Sequence, residues 1–250
     1  MKRLLAAVLC MVVNSSAFAI SIVSPNGLET TPGNEHNCIP TTGCLNAARY
    51  QQVFNQAEFS LLPGPMRVTQ VAFRRDEGQF TGANAFSHAF SNVQIGLSTP
   101  GVTAGALSSA FAANRGSDFT IVSNGALTVS SASSGFGTVQ PFDVIIQFAT
   151  TFIYDPALGN LLFEWQNFGG EEFSGGRLDS HGAADGSSRI LSTSGDPLAQ
   201  TASSNNTSAL VTQFTFAPVA VAEPTSLALA GIGLTGLFAR RRQRSQSSTV

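Results

Sequence analysis

The sequence has almost no lysine. Lys2 is the single lysine, and the stretch from Ile20 to Ala222, called the body below, has seven basic residues, all arginine, against 14 acidic ones. The difference, 7 − 14, gives the body a net charge of about −7 at neutral pH. Nucleic acids and anionic membrane surfaces are bound through clustered positive charge. The charge balance therefore argues against either as a partner of the body.

The motifs of several catalytic and metal sites are missing as well. No G-x-S-x-G segment, which carries the nucleophile of many hydrolases, occurs in the chain. No acidic cluster has the spacing of an EF-hand or an RTX repeat. Cys38 and Cys44, with His36 as the only nearby histidine, do not match a zinc pattern. We therefore expect no catalytic residues, no metal ligands and no cofactor, and we expect that the protein is not an enzyme.

Acidic residues in glycine-rich loops give two weaker alternatives. A structural calcium ion takes oxygen ligands, which Asp76-Glu77-Gly78, Glu171-Glu172 and Asp185-Gly186 offer. A glycoside hydrolase needs two carboxylates, and Glu164 with Glu171 and Glu172 can be set against Asp179. Loop carboxylates are more often solvated, and we expect that here.

Asp179, Ser180 and His181 supply the residue types of a nucleophilic triad. Adjacent residues cannot point at one another as a triad requires, so we expect His181 to be a histidine of a surface loop. His88 is equally isolated in sequence.

Residues 1–19 have the three parts of a secretory signal peptide. Lys2 and Arg3 precede an apolar run, Leu4 to Val13, and Ala17-Phe18-Ala19 follows. A charged start, about ten apolar residues and an A-x-A end are typical of such peptides. We predict cleavage after Ala19, with Ala17 and Ala19 as the recognised residues.

Export permits disulfides, and the mature chain keeps two cysteines. Cys38 and Cys44 are close in sequence, with Pro40 and Gly43 favouring a turn between them. We predict one local disulfide between them, within an extended leader at residues 20–45.

The last 28 residues, from Glu223 to Val250, have the order of a membrane signal. Glu223 and Pro224 precede an uncharged run, Leu227 to Ala239, and a stop of four arginines follows: Arg240, Arg241, Arg242 and Arg244. The 13-residue run gives a helix of about 20 Å, against roughly 30 Å of bilayer hydrocarbon. We predict a short membrane helix whose arginines stay cytoplasmic, with the body outside. An ordinary anchor or a buried apolar helix is the alternative.

This tail resembles the PEP-CTERM sorting signal of Gram-negative bacteria, with Ala222 in place of the first proline. The resemblance implies an exosortase as partner, transient anchoring in the inner membrane, and delivery to the outer surface or an extracellular matrix. It assigns residues 219–250 to the signal. Tyr50-Gln-Gln-Val-Phe54 and Asn167-Phe-Gly-Gly170 also resemble uncharacterised β-sandwich domains that precede such tails.

Short alternating segments fill residues 46–218. Apolar residues recur with period two around Val71 and Val93, and Phe142–Phe148, Leu161–Phe168 and Leu210–Phe216 are further candidate strands. Asn124-Gly125 between two such runs predicts a hairpin. With little amphipathic helix, the pattern predicts an all-β fold, an antiparallel β-sandwich of the jelly-roll kind. The 19 phenylalanines are expected to fill its core.

Trp165 is the single tryptophan and the one candidate sugar contact. Sugar-binding modules stack aromatic rings on sugars, but Trp165 is in phase with Leu161 and Phe163, which predicts that it faces the core. We therefore expect a structural or adhesive role at the cell surface or in the matrix. The alternatives are a carbohydrate-binding module for exopolysaccharide and, third, a glycoside hydrolase.

Overall fold

The computed structural model describes residues 18–38, 40, 48–76, 85–133, 137–169 and 176–219. Most of the predicted signal peptide, Cys44 and the tail from residue 220 lie outside these ranges. The chain divides after Pro218 into Met1–Pro218 and Val219–Val250. Every described strand belongs to the first unit.

The described residues form 13 strands, two 3₁₀ helices and no α-helix. The strands are β1 (Ile20–Ser24), β2 (Glu35–Asn37), β3 (Arg49–Phe54), β4 (Met66–Phe73), β5 (Phe86–Ser98), β6 (Thr120–Ser131), β7 (Val144–Tyr154), β8 (Leu161–Gly169), β9 (Leu178–Gly182), β10 (Ser187–Ser192), β11 (Ser204–Asn206), β12 (Ser208–Leu210) and β13 (Thr212–Pro218). The 3₁₀ helices are Gln56–Phe59 and Phe111–Asn114.

The strands form three sheets in which every pair is antiparallel. Their orders are β1-β13-β4-β7, β11-β10-β3-β8-β5-β6 and β12-β9-β2. The chain crosses between the two larger sheets from β3 to β4, from β4 to β5, from β6 to β7 and from β7 to β8. The predicted all-β, antiparallel class is confirmed.

Phenylalanine rings from the two larger sheets share one hydrophobic core. Phe54 on β3 meets Phe214 on β13 edge to face at 5.0 Å between ring centroids. Phe73 on β4 meets Phe163 on β8 in the same way at 6.0 Å. Phe59 adds edge contacts to three rings of the four-stranded sheet: Tyr154, Phe214 and Phe216. Because Phe has no polar tip to satisfy, it suits this dry interior.

Period-two alternation placed several strands correctly. Val93, Ile95 and Leu97 of β5 are buried at 2% exposure or less. The strand predicted from Leu161 to Phe168 is β8 with one more residue. Gly159, in the turn between β7 and β8, has a φ of 149°, a conformation that favours glycine.

The predicted hairpin at Asn124-Gly125 is wrong. Both residues lie inside β6, which continues unbroken and pairs with β5. Between Phe90↔Leu127 and Val93↔Gly125, two residues of β5 oppose one of β6, which is a β-bulge. Gly125 has a φ of 132°, so the glycine serves an irregularity of the ladder instead of a reversal of the chain. The long partner strand β5 overrides the local turn preference.

The predicted leader, residues 20–45, contributes two strands. Ile20–Ser24 pairs along its whole length with β13, and Glu35–Asn37 pairs with β9. Strands of five and three residues are too short to display a period, so neither has a strand signal in the sequence. The sheets therefore begin at Ile20, before the boundary predicted at residue 46. Cys38 packs against the main core, and because Cys44 lies outside the described ranges the disulfide stays a prediction.

Candidate functional site

Glu164 is the centre of a buried ionic network on β8. Its side chain is 1% exposed. Its Oε1 accepts hydrogen bonds from Nε and Nη2 of Arg49 at 3.0 and 2.7 Å and from Nη2 of Arg115 at 2.8 Å. Its Oε2 accepts from Nε of Arg115 at 2.7 Å and from Nε2 of Gln51 at 2.8 Å. Both carboxylate oxygens accept hydrogen bonds from arginine or glutamine side chains. Glu164 therefore holds these side chains in place and is not positioned to transfer a proton to a substrate.

The network ties two long connections to the six-stranded sheet. Arg115 comes from residues 99–119, between β5 and β6, and Nη1 of Arg49 donates to the carbonyl of Ala199, between β10 and β11, at 2.7 Å. The guanidinium of Arg49 also lies over the ring of Phe111 at 4.4 Å. Five buried apolar residues form a second hydrophobic cluster, separate from the main core, where these connections meet the six-stranded sheet: Val53, Leu107, Phe111, Leu162 and Ile190.

Asp179 lies on β9 in a second buried ion pair. Nε and Nη2 of Arg74 approach its Oδ2 at 2.7 and 2.6 Å, and the amide of Gly33 donates to Oδ1 at 2.9 Å. Burial raises the pKa of Asp179 to about 6, because the loss of water outweighs the attraction of Arg74. Nη2 of Arg74 also donates to the carbonyl of Thr31 at 2.6 Å. The pair thus fastens the segment before β2 to the end of β4.

The structure assembles no glycosidase pair from Glu164 and Asp179. The two carboxylates lie in different sheets, and each is held by its own arginine. The other carboxylates proposed for that reaction, Glu171 and Glu172, lie outside the described ranges.

Asp179, Ser180 and His181 do not form a triad. The carboxylate of Asp179 is taken by Arg74, while Nδ1 of His181 is 2.5 Å from Oδ2 of Asp185. The hydroxyl of Ser180 is buried and has no hydrogen-bond partner among the described residues. His181 is partly exposed, but it lies in strand β9 and not in the loop that was predicted for it.

Trp165 is fully buried at 0% exposure. It packs edge to face against Phe90, with 5.2 Å between ring centroids. Its indole N–H has no hydrogen-bond partner within the part of the chain that the structure describes. A ring with no exposed face cannot stack on a sugar. Trp165 is therefore a core residue, and the prediction of a possible sugar contact there is wrong.

The calcium candidates are only partly described. Across the described ranges, no group of three or more His, Cys, Asp or Glu side chains is arranged to hold a metal ion. Oδ2 of Asp76 lies 3.7 Å from Nδ1 of His36, and Asp185 accepts from the hydroxyl of Ser187 at 3.1 Å as well as contacting His181. Glu77, Glu171 and Glu172 lie outside the described ranges.

The four-stranded sheet ends where the tail begins. Pro218 is the last residue of β13, and its carbonyl accepts from Nε of Arg67 at 2.9 Å. Residues 219–222 then lead to Glu223. Residues 220–243 match the family model of the PEP-CTERM protein-sorting motif. The chain carries a PEP-CTERM sorting signal.

The PEP-CTERM match contains most of the predicted tail residues. Glu223 and Pro224 lie within it, as do Arg240, Arg241 and Arg242, whereas Arg244 follows its last matched residue. A PEP-CTERM signal implies processing by an exosortase and an exported protein that transits the membrane. No curated protein and no solved structure matches the chain.

Several residues for which we predicted a role at the chain ends lie outside the described ranges. Ala17, Glu223, Pro224 and the arginine stop are not described, whereas Ala19 is exposed directly before β1. Among the described residues, no helix has both the length and the apolar character that crossing a bilayer requires. The membrane helix from Leu227 to Ala239 therefore stays a prediction.

Sequence patterns point to Glu164 and Asp179 but not to the groups that bind them. Arg49 and Arg74 lie 115 and 105 residues away in sequence from these carboxylates. Nor do the patterns point to Glu58, whose Oε2 accepts from Ser24 and from the amide of Asn26 at 2.7 Å, and whose pKa is raised by burial. No local pattern carries such contacts.

Proposed function

We propose that the chain is a structural or adhesive protein of the cell surface or extracellular matrix, sorted there by an exosortase. The PEP-CTERM match at residues 220–243 carries the proposal. The signal peptide at residues 1–19 and the membrane helix from Leu227 to Ala239 are parts of it. They bring the body across the inner membrane and hold it there until the tail is processed.

The use of charge in the body supports a structural role. Glu164 and Asp179 are each 2% exposed or less and each is enclosed by arginine. A buried carboxylate held in this way fixes neighbouring segments in place. The third buried acid, Glu58, ties the end of β1 to the 3₁₀ helix after β3.

Strand order supports a jelly-roll sandwich as the architecture of the body. The sheet orders β1-β13-β4-β7 and β3-β8-β5-β6 give two four-stranded layers, with β10 and β11 added beside β3. Successive strands alternate between these layers except for the β5–β6 pair, as expected for a jelly roll built from two Greek keys. The ring contacts Phe54–Phe214 and Phe73–Phe163 lie between the layers. A disulfide between Cys38 and Cys44 would staple the segment after β2.

The proposal does not extend to a polysaccharide ligand. Trp165, the one residue named for that contact, is buried. Replacing Trp165 by alanine would test core packing and not sugar binding, since a buried aromatic deletion costs about 3–5 kcal/mol of stability.

Replacement of Glu223 and Pro224 by alanine tests the sorting role. In the source cells we expect this double variant to accumulate with its tail intact in the membrane fraction, because the processing motif is lost. The matched control replaces the next two residues, Thr225 and Ser226, by alanine and is expected to be processed normally. Immunoblots of membrane and culture fractions with antibodies to body and tail give the readout.

Normal processing of the Glu223/Pro224 variant would show that the motif is not used. Equal retention of both variants would instead indicate that any change near the helix blocks sorting. Either result contradicts the proposal as stated.

A further inference from the structure

Three of the four most exposed aliphatic side chains among the described residues lie at one end of the four-stranded sheet. Leu158 is 77% exposed, Leu61 is 76% exposed and Ile153 is 53% exposed. Leu61 lies in the turn before β4, Leu158 lies in the turn after β7, and Ile153 pairs with Arg67 of β4. We call these three side chains the exit patch.

The chain leaves the sheet at this same end. Pro218, the last residue of β13, pairs with Met66, which in turn pairs with Tyr154. Met66 begins β4, so the turn that carries Leu61 leads into this end of the sheet. Tyr154 ends β7, so the turn that carries Leu158 leaves from the same end. The exit patch therefore lies at the end of the sheet at which β13 ends and from which the chain continues toward residue 220.

The three segments that carry the exit patch and the end of β13 have no net charge. Residues 59–67, 152–160 and 214–219 contain one cation, Arg67, and one anion, Asp155. The body as a whole has an excess of seven acids. An acidic surface is repelled by anionic lipid, and these three segments carry none of that excess, although the exposed Asp118 binds the amide of Thr99 close to Gly159.

The tail limits how far this end can move from a membrane that holds it. Residues 219–226 separate Pro218 from the apolar run that begins at Leu227. At no more than about 3.6 Å per residue, the nine steps from Pro218 to Leu227 reach roughly 30 Å. A tether of that length gives the bilayer surface a high effective concentration at the exit patch. Three exposed aliphatic side chains then suffice to hold the tethered body against the bilayer. Without the tether, the same three side chains would bind a membrane only weakly.

We propose that, while the PEP-CTERM tail is anchored, the exit patch lies on the outer surface of the same bilayer with Leu61, Ile153 and Leu158 among the lipid headgroups. This inference rests on the proposed function, because the tail must first insert. The contact orients the body with the end of β13 toward the membrane and keeps Glu223 and Pro224 near its surface. Removal of the tail abolishes the tether, so the contact is lost when the protein is processed.

Lipid quenching of an engineered tryptophan tests the contact. The full-length chain with Leu158→Trp is reconstituted into vesicles of phosphatidylethanolamine and phosphatidylglycerol whose acyl chains are brominated near the headgroup. The native Trp165, at 0% exposure, is an internal reference that the lipid cannot reach. The matched control is Leu198→Trp, since Leu198 is 58% exposed but lies between β10 and β11 of the six-stranded sheet.

Brominated lipid is expected to quench the fluorescence of the tryptophan introduced at position 158 about twofold and to leave the Leu198→Trp chain unchanged. Adding Leu61→Ser and Ile153→Ser to Leu158→Trp is expected to restore the fluorescence. Both serine positions are exposed in the native protein, so the chain stays folded, and an unchanged melting temperature verifies this.

Flotation of the vesicles separates this inference from the proposed function. A chain that floats with the vesicles but shows no quenching at position 158 is anchored without the contact, which overturns the inference alone. A chain that does not float overturns anchoring and contact together. Protection of position 158 from aqueous iodide without quenching by bromine would place a second copy of the chain on the patch and would also overturn the inference.

Discussion

At the scale of single residues, two buried acidic side chains of the body are held by arginine. Glu164 meets Arg49 and Arg115, and Asp179 meets Arg74, in surroundings from which water is largely excluded. Taking one partner from a buried pair leaves the other charge uncompensated. These carboxylates therefore stabilise the fold, and their loss should be measured in stability.

Replacing Glu164 by glutamine should lower the free energy of unfolding by about 3 kcal/mol, because Arg49 is left buried without its counter-charge. Denaturant titration of the purified protein measures this. The control is Glu29→Gln, the same change at an exposed acid, which should alter stability by less than about 0.5 kcal/mol. Equal effects of the two changes would contradict the assigned role of Glu164.

Asp179 should make stability depend on pH in an unusual direction. Its folded-state pKa is raised from 3.8 to about 6, so between these values the folded state binds more protons than the unfolded chain. This group's contribution to the free energy of unfolding therefore rises as the pH falls from about 7 to about 4. Asp179→Asn removes the contribution, so the stability gap between native protein and variant should widen on acidification. A gap that narrows would show that Arg74 keeps the carboxylate ionised.

At the scale of elements, the sequence revealed the longer strands. The alternation around Val93 identified β5, whose inner residues fill the core. The apolar run from Leu161 identified β8, although its first six residues are all buried, because Leu162 and Glu164 on its other face are covered as well. The three-stranded sheet was missed, because β9 reads Leu-Asp-Ser-His-Gly and holds its place through Asp179 and Arg74 instead of through apolar alternation. Pairing across more than a hundred residues leaves no local pattern.

The bulge at Gly125 gives a test of how β6 is built. Gly125 has a φ of 132°, and no neighbouring atom lies within 4 Å of the position that a Cβ would take, so Gly125→Ala meets backbone strain and no clash. We expect a loss of about 1–2 kcal/mol in the free energy of unfolding. Gly101→Ala is the matched control, since it also has open space but no positive φ, and should change stability by less than about 0.5 kcal/mol. Similar losses in thermal unfolding would contradict the assignment of a strained bulge.

At the scale of the whole molecule, the tail and the body differ in how much of their function can be predicted from sequence. The tail could be recognised from sequence because a sorting signal is a local pattern of charge and apolar length, and residues 220–243 match that motif. The signal peptide at residues 1–19 stays a prediction. The body could be assigned its class but not its sites, because its buried ion pairs join residues that are far apart in the chain. Glu164 illustrates this, since the sequence offered it as a catalytic acid and the structure encloses it between Arg49 and Arg115.

Mass spectrometry of the intact protein recovered from the source cells and their medium tests the central claim most directly. The account predicts a chain that starts at Ile20 and ends near Glu223 and Pro224, without the run from Leu227 to Ala239 and without the arginines that follow it. A single species that runs from Met1 to Val250 would contradict it.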